Sequence, residues 1–169
     1  MKNSAKNISL LGVMIAILEV VKNVLAAIPN VELVTLLIIL YALYLGKRVF
    51  LVVPAFILIE GCLYGFGLWW IMYLYTWPIL AIIAMTFKKQ ESVWFWSILS
   101  AIFGLFYGAL SAIPYIFISG IEGAFAWWIA GIPFDIIHCI SNFILCLLLF
   151  RPLNRVLKRM SVILNLKES

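Results

Sequence analysis

Clusters of lysine and arginine separate long apolar runs, and this alternation constrains the fold more than any other feature of the sequence. Basic residues lie before the first apolar run, at Lys47-Arg48, at Lys88-Lys89, and in a group that begins at Arg151. The chain between two successive clusters is long enough for two membrane spans. Because cytoplasmic loops carry the excess of Lys and Arg in membrane proteins, the pattern predicts six transmembrane helices with both termini in the cytoplasm.

The predicted fold class is all-α, a single membrane domain formed by a bundle of six transmembrane helices. Proline and glycine mark the boundaries, because proline cannot continue a helix and glycine favours turns. Pro29-Asn30 ends the first helix, Gly46 the second, and Gly65-Phe66-Gly67 the third. The helices are predicted at residues 9–28, 31–45, 49–66, 68–87, 93–118 and 124–150, and a basic cytoplasmic tail at 151–169.

The composition agrees with a chain that lies almost entirely in the bilayer. Hydrophobic residues make up 66% of it, and the mean hydropathy is +1.17. Soluble domains do not reach these values. The net charge of +5 comes from basic residues at the ends of apolar runs, where they anchor helices to lipid and set topology. We therefore expect contact with membrane lipid and no nucleic-acid partner.

Ionisable residues inside the last predicted helix are the most informative site signal. Asp135, His138 and Asn142 are spaced i, i+3 and i+7, so they share one helical face. An aspartate at membrane depth costs about 2.5–3.5 kcal/mol on insertion scales. Such a group usually serves a function, although Asp135 and His138 could also simply pair with each other or with neighbouring helices.

Aromatic side chains in the outer half of the predicted bundle indicate a ligand pocket. Tyr73 and Trp77 share a face at i, i+4 and lie deeper than an interfacial belt of aromatic residues would. With Glu60 and Asp135 they predict an apolar pocket with a few fixed polar groups. Other aromatics could belong to the belt. The predicted substrate-binding residues are Asn30, Glu60, Tyr64, Trp70, Tyr73, Trp77, Tyr115, Trp128, Asp135, His138 and Asn142.

Two further patterns concern helix packing. Ser100, Gly104, Gly108 and Ala112 form a strip of small residues that lets another helix of the bundle approach closely. In the first helix Gly12 and Ala16 are also four residues apart and could pack internally or face a partner protein. Glu19 and Lys22, at i, i+3 on the same helix, could neutralise each other.

No motif in the sequence predicts catalysis, a metal or a cofactor. The chain has no G-x-x-x-x-G-K-[ST] loop, no H-E-x-x-H and no G-x-S-x-G. A single histidine cannot form a metal cluster alone. The three cysteines, Cys62, Cys139 and Cys146, lie in apolar runs without C-x-x-C spacing. We therefore expect no metal site and no cofactor.

Two segments resemble a known family. Residues 28–35 (Ile-Pro-Asn-Val-Glu-Leu-Val-Thr) lead into the second helix, and residues 131–138 (Gly-Ile-Pro-Phe-Asp-Ile-Ile-His) are followed by Asn142. A six-helix protein with these segments resembles the substrate-binding S components of energy-coupling factor (ECF) vitamin transporters, a class of ABC importers. The connection between the first two helices is short here, whereas several family members have a longer gating loop there. The 3–4 and 5–6 connections are the other candidates for a gate.

The resemblance implies a function and a set of partners. The protein would be a transporter subunit, not an enzyme, in the bacterial cell membrane. It would capture a vitamin or vitamin precursor with a flat heteroaromatic ring. A transmembrane coupling subunit would dock on Gly12 and Ala16, where the family typically has two alanines, and two cytosolic ATPase subunits would supply the energy.

Two other functions remain open from the residues alone. The chain could be a small intramembrane enzyme that uses Asp135 and His138 as an acid/base pair, although the sequence contains no recognisable nucleophile. It could also be a membrane scaffold protein whose buried charges are structural.

Overall fold

A computed structural model describes residues 2–163 of the chain, with side chains from residue 6 to residue 161. This part of the chain consists of helices joined by short connections and contains no β-strand. Residues 164–169, the end of the predicted basic tail, lie outside the described residues. The helices are α1 (Lys2–Leu25), α2 (Val34–Leu45), α3 (Val49–Tyr64), α4 (Leu68–Thr86), α5 (Val93–Leu105) and α6 (Tyr107–Ile163).

Within the described residues, four helical segments are long and apolar enough to cross a membrane, which is compatible with a multi-pass membrane protein. A 3₁₀ turn at Gly46–Arg48 divides the second of them, and Gly120 interrupts the last. At Gly120 the backbone takes φ 73° and ψ 179°, a conformation that residues with a Cβ rarely adopt. The segments are Lys6–Leu25, Val34–Tyr64, Leu68–Thr86 and Val93–Ser161.

The helix ends differ from the predicted ones where local hydrogen bonds override the apolar pattern. The first helix ends at Leu25. After it the chain forms a tight turn, in which the Ile28 amide donates to the Leu25 carbonyl at 2.9 Å. The second begins at Val34. The predicted loop between the fifth and sixth helices is reduced to the break at Gly120, and the predicted tail continues α6 as far as Ile163.

Helix α2 is the centre of the bundle. Every residue from 34 to 42 is buried, because α1, α3, α4 and α6 all contact this helix. Helix α1 buries only one face, formed by Leu10, Met14 and Leu18 at a spacing of four residues. Its opposite face is exposed, as expected for a helix at the edge of a membrane bundle.

The two halves of α6 on either side of Gly120 run back along each other, and α5 continues the first half. A Cβ placed on Gly104 would lie 2.9 Å from the backbone of His138, and one on Gly108 would collide with the Asp135 carboxylate. Ser100 and Ala112, the other members of the predicted small-residue strip, are also buried. The strip thus brings α5 and the first half of α6 into close contact with the second half of α6.

Candidate functional site

A cavity of about 200 Å³ lies where the end of α1 and the α1–α2 connection meet α4 and α6. A cavity of this size holds about seven waters or one small ring system. Its wall combines apolar residues of the connection with rings and charged groups from the helices. The lining residues are Lys22, Leu25, Ala26, Ile28, Pro29, Asn30, Val31, Glu32, Val34, Tyr73, Trp77, Tyr107 and His138.

The α1–α2 connection is held in place by a hydrogen bond to α6. Asn30 has a positive φ of 59°, in the left-handed region that asparagine tolerates better than most residues. This conformation presents the Asn30 carbonyl to Ser141, whose hydroxyl donates to it at 2.7 Å. The connection that covers the cavity is therefore fixed to the helix that carries His138.

Glu32 and His138 form a hydrogen-bonded pair in the wall. Nε2 of His138 lies 3.1 Å from Oε1 of Glu32. The same carboxylate accepts the backbone N–H of Thr35 at 2.8 Å and the Thr35 hydroxyl, so it caps the start of α2. Burial tends to raise the pKa of Glu32, but the bonds from His138 and Thr35 outweigh burial and hold that pKa below its ordinary value of 4.5.

The polar face predicted on α6 extends below this pair. Nδ2 of Asn142 donates to the Thr35 hydroxyl at 3.3 Å and to the Ser100 carbonyl at 3.4 Å. The ring of Tyr107 packs edge-on against His138, with centroids 4.9 Å apart. Asn142 therefore supports Thr35, which in turn holds Glu32, and does not itself line the cavity.

Lys22 forms an ion pair beside the cavity. Its ammonium group binds Glu60, whose side chain is fully buried, while the Lys22 side chain remains 27% exposed. The Glu19 carboxylate lies close enough to interact electrostatically with both members of this pair. Lys22 thus pairs with Glu60 on another helix, and Glu19 lies in the same cluster. The ammonium also lies over the rings of Tyr64, Trp69 and Tyr73, at 4.9, 5.9 and 5.7 Å from their centroids.

Three aromatic rings form the wall opposite the connection. Trp77 packs against Tyr73 at 5.4 Å and against Tyr107 at 5.8 Å between ring centroids. The side chains of Tyr73 and Tyr107 also interact with each other. Phe56 and Phe103 pack behind Trp77. Fixed rings of this kind offer flat apolar faces to a ligand with little loss of side-chain entropy.

Asp135 is buried but does not line the cavity. Its Oδ1 accepts the backbone N–H of Gly108 at 2.9 Å, and the Trp128 side chain interacts with the same carboxylate. The structure thus places Asp135 between the two halves of α6. Asp135 and His138 have different partners, although they share a helical face.

The remaining predicted site residues also lie outside the cavity wall. The Tyr64 hydroxyl donates to the side chain of Asn23, and the Trp70 indole donates to the Ile57 carbonyl at 2.8 Å. Tyr115 stacks on Trp127 with ring centroids 4.6 Å apart. Of the eleven predicted binding residues, the cavity brings together Asn30, Tyr73, Trp77 and His138.

Lys22, Glu32 and Tyr107 line the cavity but were not among the predicted binding residues. A buried histidine needs a hydrogen-bond partner, and Glu32 is an acidic residue next to the start of α2. These two facts of the sequence make Glu32 a candidate partner of His138. The place of Tyr107 follows from its position between Gly104 and Gly108, where two helices approach closely. The partner of Lys22 depends on how α1 packs on α3, for which no local signal exists.

Gly12 and Ala16 lie on the exposed face of α1. A Cβ added to Gly12 would have no atom within 4 Å. Neither residue therefore lies in the core of the described part of this chain.

The described residues contain no group of three or more His, Cys, Asp or Glu side chains arranged to hold a metal ion. Cys62, Cys139 and Cys146 are free thiols. Comparisons of the chain with models of protein families, with curated proteins and with solved structures give no match.

Proposed function

We propose that this protein is the substrate-binding S component of an ECF-type importer and that it captures a small ring-containing vitamin or vitamin precursor. The observation that supports this most strongly is the cavity of about 200 Å³ lined by the rings of Tyr73, Trp77 and Tyr107 together with the polar side chains of Lys22, Glu32 and His138. An apolar pocket with a few convergent polar groups is the usual form of a small-molecule site.

The two segments that resemble the S components both contribute to this cavity. The first supplies Asn30 and Glu32, and the second supplies His138. In the proposed function the polar groups orient the ligand and the rings hold its flat face. This convergence favours a binding role over a scaffold, which would need no cavity at this position.

In the membrane, the proposal requires six spans with both termini in the cytoplasm, so that the α1–α2 connection and the cavity face outward. The 3₁₀ turn with Lys47 and Arg48 would then lie inside. Cysteine substitutions at Lys47 and Asn30, labelled in intact cells with a membrane-impermeant reagent, test this orientation. Labelling of position 47 without permeabilisation would contradict it.

The proposal also includes partners. The chain carries no nucleotide-binding motif, so energy would come from two cytosolic ATPases through a transmembrane coupling subunit. The exposed pair Gly12 and Ala16 offers a flat surface on which a partner helix could approach closely.

Native mass spectrometry of the purified protein, followed by titration calorimetry with ring compounds, tests ligand binding directly. We expect a co-purified small molecule that is released on denaturation. Detection of no bound molecule, together with no heat of binding from pyridine, pyrimidine and benzimidazole compounds, would reject the proposed function.

A further inference from the structure

Two glutamates of the bundle, Glu19 on α1 and Glu60 on α3, contain buried oxygen atoms that no donor satisfies. Glu60 is fully buried and binds the Lys22 ammonium through Oε2. Its other oxygen, Oε1, and both carboxyl oxygens of Glu19 are buried and have no hydrogen-bond donor in the described part of the chain. A buried carboxylate oxygen without a donor is costly, so the cluster lacks a partner that these side chains do not supply.

The charges of the cluster do not balance if both acids are ionised. The Glu19 carboxyl group lies close enough to Glu60 for the two side chains to interact directly. Two adjacent carboxylates in an apolar site repel each other, and one of them then retains its proton. Among the described titratable groups that face the two acids, Lys22 carries the one positive charge, since the others are Tyr64, Tyr73 and Tyr107.

The space around these oxygens limits what the missing partner can be. Each of the three atoms exposes less than 1 Å², so neither a water molecule nor a sodium ion can reach them without displacing protein atoms. A proton needs no space of its own. Placed on Glu19, it forms an O–H group that can donate to Oε1 of Glu60, and it leaves Lys22 and Glu60 as a neutral ion pair.

We propose that Glu19 and Glu60 form a proton-binding site that is occupied at neutral pH. The protonated Glu19 carboxyl donates to Oε1 of the Glu60 carboxylate, while Lys22 binds Oε2 of the same carboxylate. One proton thereby removes the excess negative charge and provides partners for two of the three oxygens. The site lies beside the cavity, because Lys22 also lines the cavity, but the proton is bound whether or not the cavity holds a ligand.

Infrared spectroscopy of the full-length protein in detergent detects this proton, because a protonated carboxyl group has a C=O stretching band that a carboxylate lacks. At pH 7.5 the difference spectrum between wild type and Glu19→Gln should contain this band. Glu122→Gln, the same substitution at an exposed position, is the control, and its difference spectrum should not contain the band. Absence of the band from the Glu19→Gln difference spectrum would overturn the proposal.

Glu60→Gln tests whether the two acids share the proton. With Glu60 neutral, Lys22 is left with Glu19 as the acid of the cluster, so Glu19 should ionise and the band should disappear although Glu19 is still present. A band that persists in folded Glu60→Gln would show that Glu19 is protonated without Glu60, and it would overturn the shared site.

Thermal melting gives a second, independent measurement. Glutamine has the shape of protonated glutamate and can donate to the same acceptor, so Glu19→Gln should melt at the wild-type temperature at pH 6. As the pH rises to 9 the wild-type protein loses the proton and should melt several degrees below Glu19→Gln. If Glu19→Gln does not fold, or is less stable than wild type at both pH values, Glu19 is an ionised partner of Lys22 and the proposal is wrong.

The same melting experiment distinguishes a proton from a metal cation. Replacement of sodium chloride by choline chloride should leave the melting temperature of the wild-type protein unchanged, because the buried oxygens offer no room for sodium. Stabilisation by sodium that is absent from Glu19→Gln would identify a cation site instead and would overturn the assignment of a proton.

Discussion

His138 Nε2 lies 3.1 Å from Glu32 Oε1. This contact joins the start of α2 to α6, although the two residues are 106 positions apart in the sequence. Glu32 also caps α2 through Thr35. One carboxylate therefore fixes both the position of α2 and the orientation of the imidazole at the edge of the cavity. Changes at Glu32 should consequently affect stability and the cavity together.

Glu32→Gln should lower the melting temperature in detergent, by an amount that corresponds to about 2 kcal/mol at neutral pH, because a charged hydrogen bond contributes roughly 1.5–3 kcal/mol. The pKa of Glu32 is lower in the folded protein than its ordinary value of 4.5. Its contribution is therefore complete above pH 4.5 and is lost as the pH falls through the folded-state pKa. Glu91→Gln, at an exposed position in the α4–α5 loop, is the control. A difference between wild type and Glu32→Gln that does not shrink below pH 4.5 would contradict this assignment.

Lys22→Met should destabilise the protein, because it leaves the buried carboxylates of Glu19 and Glu60 without their cation. Breaking a fully buried pair costs about 3–5 kcal/mol, and we expect less here because Lys22 is 27% exposed. The double variant Lys22→Met, Glu60→Gln should recover part of the loss. Thermal melting of both variants, with Lys47→Met as an exposed control, measures the coupling. Purely additive effects would show that the pair is energetically unimportant.

Gly104→Ala should destabilise the bundle by about 1–3 kcal/mol, the usual cost of overpacking. The added methyl group would meet the backbone of His138 at 2.9 Å, and a helix backbone cannot easily move away. Gly131→Ala, where a Cβ has open space, is the matched control and should be neutral or slightly stabilising, since alanine favours helix. If both variants melt at the same temperature, the close contact between α5 and α6 does not hold in solution.

Gly12→Leu and Ala16→Leu should leave folding and ligand affinity unchanged, because neither position faces the core. If the proposed partners dock here, both variants should lose uptake and fail to co-purify with the coupling subunit in cells that also express it with the ATPases. Ala130→Leu, which adds the same bulk at an exposed position of α6, should retain uptake. Loss of ligand binding in detergent would instead mean that the pair supports the fold.

The apolar pattern predicted an all-helical chain with long apolar helices, whereas tertiary contacts decided which residues line the cavity. Tyr73 and Trp77 could be placed in the cavity because their i, i+4 spacing sets a common face. Asp135 also shares a helical face with a predicted site residue, His138, but it lies against Gly108. The direction in which Asp135 points depends on how closely the two halves of α6 approach each other.

The charged partners were harder to predict than the rings. Lys22 could bind Glu19 on its own helix or an acid on another helix, and the choice of Glu60 reflects the contact between α1 and α3. Spacing along a helix identifies candidates for an ion pair, but the angle between two helices selects among them.

The hydrogen bond from Ser141 to the Asn30 carbonyl has a kinetic consequence. Together with the pair of Glu32 and His138, it means that the cavity is shaped before any ligand arrives. A preformed site requires little backbone movement on association. In stopped-flow fluorescence, the observed association rate should therefore rise in proportion to ligand concentration, without the plateau that a slow opening step would impose.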